Sequence, residues 1–171
     1  MFVAQRLFEQ ALDENNDSIY RLSINGTGKK MGFLEIIDKY SGTNASNLSN
    51  YYAGMSYLKL KDYKNSIKYL SQFNSDDQIL SSLAKGSIGD CFVQLDQLKD
   101  ALNYYEKAID INTNDYTTEM YLLKSAHVSL ELNKNHKSYN YFSRLKLDFP
   151  NTIAADIIDV FISMAKLLIN Y

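Results

Sequence analysis

The sequence predicts an all-α fold, an α-solenoid built from antiparallel helix hairpins. Three observations carry this. Strong helix formers are frequent, while one proline and seven glycines in 171 residues leave few breakers. Three segments repeat one pattern: "NYYAGMSYLKLKDYKNSIKYLSQF" from Asn50, "KGSIGDCFVQLDQLKDALNYYEKA" from Lys85 and "LLKSAHVSLELNKNHKSYNYFSRL" from Leu122. Within each segment a short polar turn, "LKDYKNS", "LDQLKDA" or "LNKNHKS", separates two apolar-periodic stretches and leaves no room for a strand.

The chain is expected to be a single domain over residues 1–171. Residues 1–46 read as a divergent N-terminal hairpin, with helices over Phe2–Leu12 and Met31–Tyr40. The stretch between them, "SINGTGKKMG" from Ser23, looks at first like phosphate chemistry. A phosphate loop needs glycine, four residues, then Gly-Lys-Ser/Thr, so that backbone amides wrap the phosphates and a hydroxyl holds magnesium. Aligning on Gly28 and Lys29 puts Ser23 at the first position and Lys30 at the last, and both fail. The dinucleotide fingerprint fails on the spacing of Gly26, Gly28 and Gly32. The stretch therefore reads as an inter-helix loop with an Asn-Gly turn.

Three repeats follow, over 47–80, 82–115 and 119–151. A small residue in the first helix, Gly54, Gly89 or Ala126, lets the two helices of a hairpin approach closely. Three places on, an aromatic fills the adjoining space at Tyr57 and Phe92, with Ser129 in the last copy. The second helix carries a small residue at its crossing point, Ser66, Ala101 or Ser138, and a large one four places later, Leu70, Tyr105 or Phe142. Asp76-Asp77 suits a cap for the next helix. Residues 152–171 form a closing helix, whose outer face is expected to be polar through Asp156, Asp159 and Lys166, as a solenoid end requires.

The pattern "GMSYLKLKDYKNSIKYL" followed by "GDCFVQLDQLKDALNYYEKAIDIN" resembles the tetratricopeptide repeat, whose period is about 34 residues. The anchors Gly54, Gly89 and Ala126 stand 35 and 37 apart, and Pro150 falls where the repeat-ending proline belongs. The family's tryptophan is absent, and its turn glycine is replaced by Lys61, Asp96 and Asn133. The resemblance implies a right-handed superhelix. The order of "FLEIIDKYSGTNASNLSNYYAGMSYLKLKDYKNSIKYL" is also similar to bacterial, especially Bacteroidetes, repeat proteins related to the ancillary subunit of the Sec translocon. That likeness implies a repeat domain on the periplasmic face of the inner membrane, tethered by an upstream helix. The start at "MFVAQRLFEQ" would follow removal of such an anchor. A cytoplasmic setting is the alternative.

Function is expected to be binding, not catalysis. Formal charge is −2, from 18 basic and 20 acidic residues, so nothing steers the chain to nucleic acid. Ile153–Ile169 is interrupted by Asp156, Asp159 and Lys166 and does not insert in a bilayer. The lone Cys91 forms no internal disulfide and reads as a packed small residue. His127 and His136 fall on different helices with no third ligand, so no metal, cofactor or catalytic constellation is assigned.

The resemblance implies a concave partner groove lined by Leu48, Tyr51, Met55, Leu58 and Lys59, by Leu83, Gly86, Asp90, Val93 and Gln94, and by Met120, Leu123, His127, Leu130 and Glu131. Its ninth positions, Met55, Asp90 and His127, lack the lysines and asparagines of a carboxylate clamp. The expected partner is a protein or peptide segment held by an apolar groove. The alternative is a self-association module that forms a homo-oligomer.

Overall fold

A computed structural model describes residues 1–111, 116–150 and 155–169. The repeat ends expected at residues 115 and 151, and the side chain of Asp156, lie outside them. The fold is an all-α helical repeat solenoid. By packing, the chain divides into two compact units, Met1–Asp76 and Asp77–Tyr171.

The first unit begins with α1 (Phe2–Glu14) and α2 (Asp17–Asn25). Asn15 closes α1 in the left-handed conformation, and the Asn16 side chain caps α2 by accepting from the Ser18 and Ile19 amides. Helix α2 was not expected. Nor was the ribbon that follows it, where β1 (Gly26–Thr27) pairs antiparallel with β2 (Lys30–Met31). The supposed loop is thus a helix end, a tight hairpin and a helix start. Gly32 explains why it is glycine-rich: a Cβ there would stand 2.3 Å from both the Gly26 nitrogen and the Ile24 carbonyl oxygen.

Helices α3 (Phe33–Lys39), α4 (Asn44–Lys59) and α5 (Tyr63–Leu70) complete this unit. Its core gathers Ala4, Phe8, Ala11, Tyr20, Phe33, Ile36 and Ala53. Tyr52 ties it together, stacking on Phe33 at 5.4 Å and meeting the Phe8 edge at 5.2 Å.

The second unit holds α6 (Gln78–Gln94), α7 (Leu98–Ile111), α8 (Thr117–Glu131), α9 (Asn135–Asp148) and α10 (Ala155–Ile169). Asp77 caps α6 through the Leu80 amide, as expected. Helix α7 buries Ala101, Leu102, Tyr105, Ala108 and Ile109, one stripe at helical spacing. Helix α6 buries Ser82, Ala84, Gly86, Ser87, Ile88, Gly89 and Cys91, a nearly continuous run. On α6, Gly86 lies against Tyr121 of α8, Gly89 lies against Tyr105 of α7 and the Ser82 hydroxyl donates to the Ala108 carbonyl, whereas α7 keeps Lys99, Asn103, Lys107 and Asp110 in water. The core of this unit runs from Ala101 through Tyr121, Leu122 and Phe142 to Ile158.

One turn chemistry joins the paired helices α4–α5, α6–α7 and α8–α9. Lys61, Asp96 and Asn133 adopt φ of 59°, 56° and 56°. The amide after each one reaches back five residues, Asp62 to Tyr57, Gln97 to Phe92 and Lys134 to Ser129, at 2.8 to 2.9 Å. This is the Schellman closure that glycine usually serves.

Candidate functional site

The first helix of each hairpin carries the expected groove residues, and their exposure differs by unit. On α4, Tyr51 does not line a groove. It is buried, with its ring 5.1 Å from Phe73 and 5.6 Å from Tyr52. Met55 is half-buried and packs against the cluster formed with α1, α2 and α3. The chain's own N-terminal helices therefore cover part of Met55. Leu48 and Leu58 are half-buried, and Lys59 is exposed.

Within the second unit, Leu83, Asp90 and Val93 on α6, and Met120, Leu123, His127 and Leu130 on α8, are half-buried. Gln94 and Glu131 are exposed at the rim. Gly86 is buried because Tyr121 fills the space beside it. Val93, Met120, Leu123 and Leu130 rest on the core while keeping part of their surface in water.

An ionic contact not foreseen from sequence spans this face. The Lys124 ammonium donates to both Asp90 carboxylate oxygens, at 2.6 and 2.8 Å, while the Tyr105 hydroxyl donates to Oδ1 at 2.7 Å. The same ammonium lies 5.7 Å and 5.6 Å from the Tyr105 and Tyr121 ring centroids. Burial, and then the neighbouring Asp90 charge, push the Tyr105 phenol far above its usual range, so it stays a donor. A one-repeat offset between Asp90 and Lys124 was visible in the sequence, but nothing there showed that the two side chains meet.

His127 stands beside the stacked pair Phe142–Phe161, whose centroids are 5.0 Å apart, and meets both rings edge-on at 5.3 and 4.8 Å. Burial lowers its pKa, partly opposed by Glu131. It lies on α8 and His136 on α9, so the two histidines are on different helices. Cys91 is buried on α6. Of the groove residues, the structure thus brings Leu83, Asp90, Val93, Met120, Leu123, His127 and Leu130 onto neighbouring helices of one unit.

Residues 49–77, spanning α5 and most of α4, match a family model described as tetratricopeptide repeat, and residues 84–115, covering most of α6 and all of α7, match a second with the same description. These two hairpins are tetratricopeptide repeats. No curated protein matches the chain. Tetratricopeptide repeats generally mediate protein–protein interaction and are typically non-enzymatic scaffolds. Helices α8 and α9 repeat the hairpin geometry beyond the matched residues, down to the left-handed turn at Asn133. Among the described residues no helix is long and apolar enough to cross a membrane.

Proposed function

We propose that this protein is a non-enzymatic scaffold that holds a polypeptide segment on the α6–α8 face. The supporting observation is the set Leu83, Val93, Met120, Leu123 and Leu130, apolar side chains left partly exposed on adjacent first helices of repeats. A segment placing two or three apolar side chains there would gain about 1 to 3 kcal/mol for each one fully buried. The Asp90–Lys124 pair offers polar groups between them for the segment's backbone amides. The likeness of the sequence to envelope-associated repeat proteins supports a membrane-tethered role in protein translocation or folding at the periplasmic face. A cytoplasmic setting is the alternative, and fractionation of the native cells separates the two.

The binding face is tested with a peptide selected from a random display library on the parent protein. Met120→Glu and Leu123→Glu should each weaken that peptide at least tenfold while helical content holds. Asn103→Glu, on the exposed side of α7, should change nothing. A peptide insensitive to both groove variants but lost with Asn103→Glu removes the assignment.

A further inference from the structure

Among the described residues, helix α10 is fastened along one side. Ile158 is buried in the core with Phe161 and Ile162 packed against it, and Ala165 is fully buried. Its ends are tied to α9 by an ion pair from Lys146 to Asp159 and by a hydrogen bond from the Asn135 side chain to the Leu168 carbonyl at 2.9 Å. The remaining surface departs from the polar solenoid end that the sequence predicted. Asp159 and Lys166 are exposed, but so are Ile157 at 56%, Val160 at 65%, Leu167 at 62%, Leu168 at 47% and Met164 at 38%.

These residues form a stripe. Ile157, Val160, Met164 and Leu167 are spaced three, four and three apart, the a/d spacing of a two-helix seam. The stripe carries no charge. Its five apolar side chains expose several hundred Å², matching the largest patches that monomers keep, about 300 to 600 Å².

We propose that α10 pairs with α10 of a second copy of this chain, antiparallel, through this stripe. The register is self-complementary. A two-fold axis passing beside residue 162 sets Ile157 against Leu167 of the second copy and Val160 against Met164 of the second copy. Each layer is then one a residue facing one d residue, as antiparallel seams require. Leu168 closes both ends. Two such stripes, if fully covered, bury at most about 900 Å² in total, which is below the roughly 1,200 Å² of a stable specific interface and in the range of a weak, reversible pair. A foreign helix has no need of this internal symmetry, whereas a C₂ pair does.

The test uses the whole chain in sedimentation velocity over a hundredfold range of concentration. The parent should pass from monomer to dimer with a dissociation constant of about micromolar order. Val160→Glu and Leu167→Glu, both at exposed positions, should stay monomeric with parent helical content. Orientation is read by oxidative cross-linking: Ile157→Cys mixed with Leu167→Cys should link to one another, while Ile157→Cys alone should not. The buried Cys91 supplies the background control. A parent that stays monomeric throughout, a dimer that survives both glutamates, or Ile157→Cys linking to itself would each overturn the proposal.

Discussion

A Cβ placed on Gly89 would stand 2.6 Å from the Tyr105 ring. The same relation recurs at Gly54, where a Cβ would meet Leu70 at 2.5 Å. In these two hairpins the first helix thus gives up its side chain where the second helix presents a large one. Ala101, fully buried, does the reverse from the second helix.

Gly89→Leu and Ala101→Phe should each overpack the central hairpin and cost about 1 to 3 kcal/mol or more. Thermal unfolding by circular dichroism measures it. Unchanged melting temperatures for both variants would remove the repeat register.

The left-handed turns make a graded prediction. A left-handed non-glycine residue costs roughly 1 to 2 kcal/mol, of which glycine's extra freedom in the unfolded chain takes back about 0.4 to 1. Lys61→Gly should therefore stabilise by about 0.5 to 1 kcal/mol, and Asn133→Gly by much less, because asparagine tolerates this region. Asp96→Gly should fall between them, gaining also from removing a carboxylate at a helix C-terminus. Urea midpoints rank the three, and an inverted order refutes the account.

Those turns were legible because they are periodic. Lys61, Asp96 and Asn133 hold the place of the family's glycine, and all three proved left-handed. The crossing pairs were legible for the same reason. Helix α2 was not. It is nine residues long and buries only Tyr20, Ser23 and Ile24, too few to show a period amid "DENNDSIYRLSING". The one local signal was Asn16, whose capping role is visible only once the helix is known. The outer face of α10 misled for another reason. Its charges are sparse and conspicuous, and reading them as the whole exposed face overlooked an apolar arc too wide for one neighbouring helix to cover. The Asp90–Lys124–Tyr105 contact depends on how two repeats stack, which spacing within one repeat does not encode.

Glu106 should confer a pH dependence. Burial raises its pKa, but hydrogen bonds from Lys137, at 2.6 Å, and Tyr141 outweigh it and leave the carboxyl below its ordinary value. A folded pKa below the unfolded one gives stability that is complete above the ordinary carboxylate range and lost as pH falls through the folded value. Lys137 is half exposed, so solvent screening keeps the contribution small. Glu106→Gln should cost about 0.5 to 1 kcal/mol at pH 7. The gap to the parent should close below the ordinary glutamate range. Parallel stability curves from pH 7 down to pH 3 would show that the contact contributes nothing.

The last prediction returns to the glycine-rich stretch that looked like phosphate chemistry. Gly32 sits against backbone, with the Gly26 nitrogen and Ile24 carbonyl oxygen both 2.3 Å from where its Cβ would be, and no side-chain rotation relieves that. Gly32→Ala must shift the β1–β2 ribbon off the end of α2, at a cost of roughly 2 kcal/mol or more. Gly28 has open space around it and only a positive φ of 54°, so Gly28→Ala should cost about 1 kcal/mol. Hydrogen exchange should show faster opening of residues 17–39 in the Gly32 variant, with residues 77–111 unchanged. Lys29 and Lys30 are exposed at this turn. Their joint replacement by alanine should leave stability near the parent's, and nucleotide binding should be undetectable in parent and variant alike. Micromolar ATP or GTP binding to the parent, lost in the double variant, would show that these glycines serve a ligand. The structural assignment requires instead that Gly32→Ala be the costly change and that the lysine pair be silent.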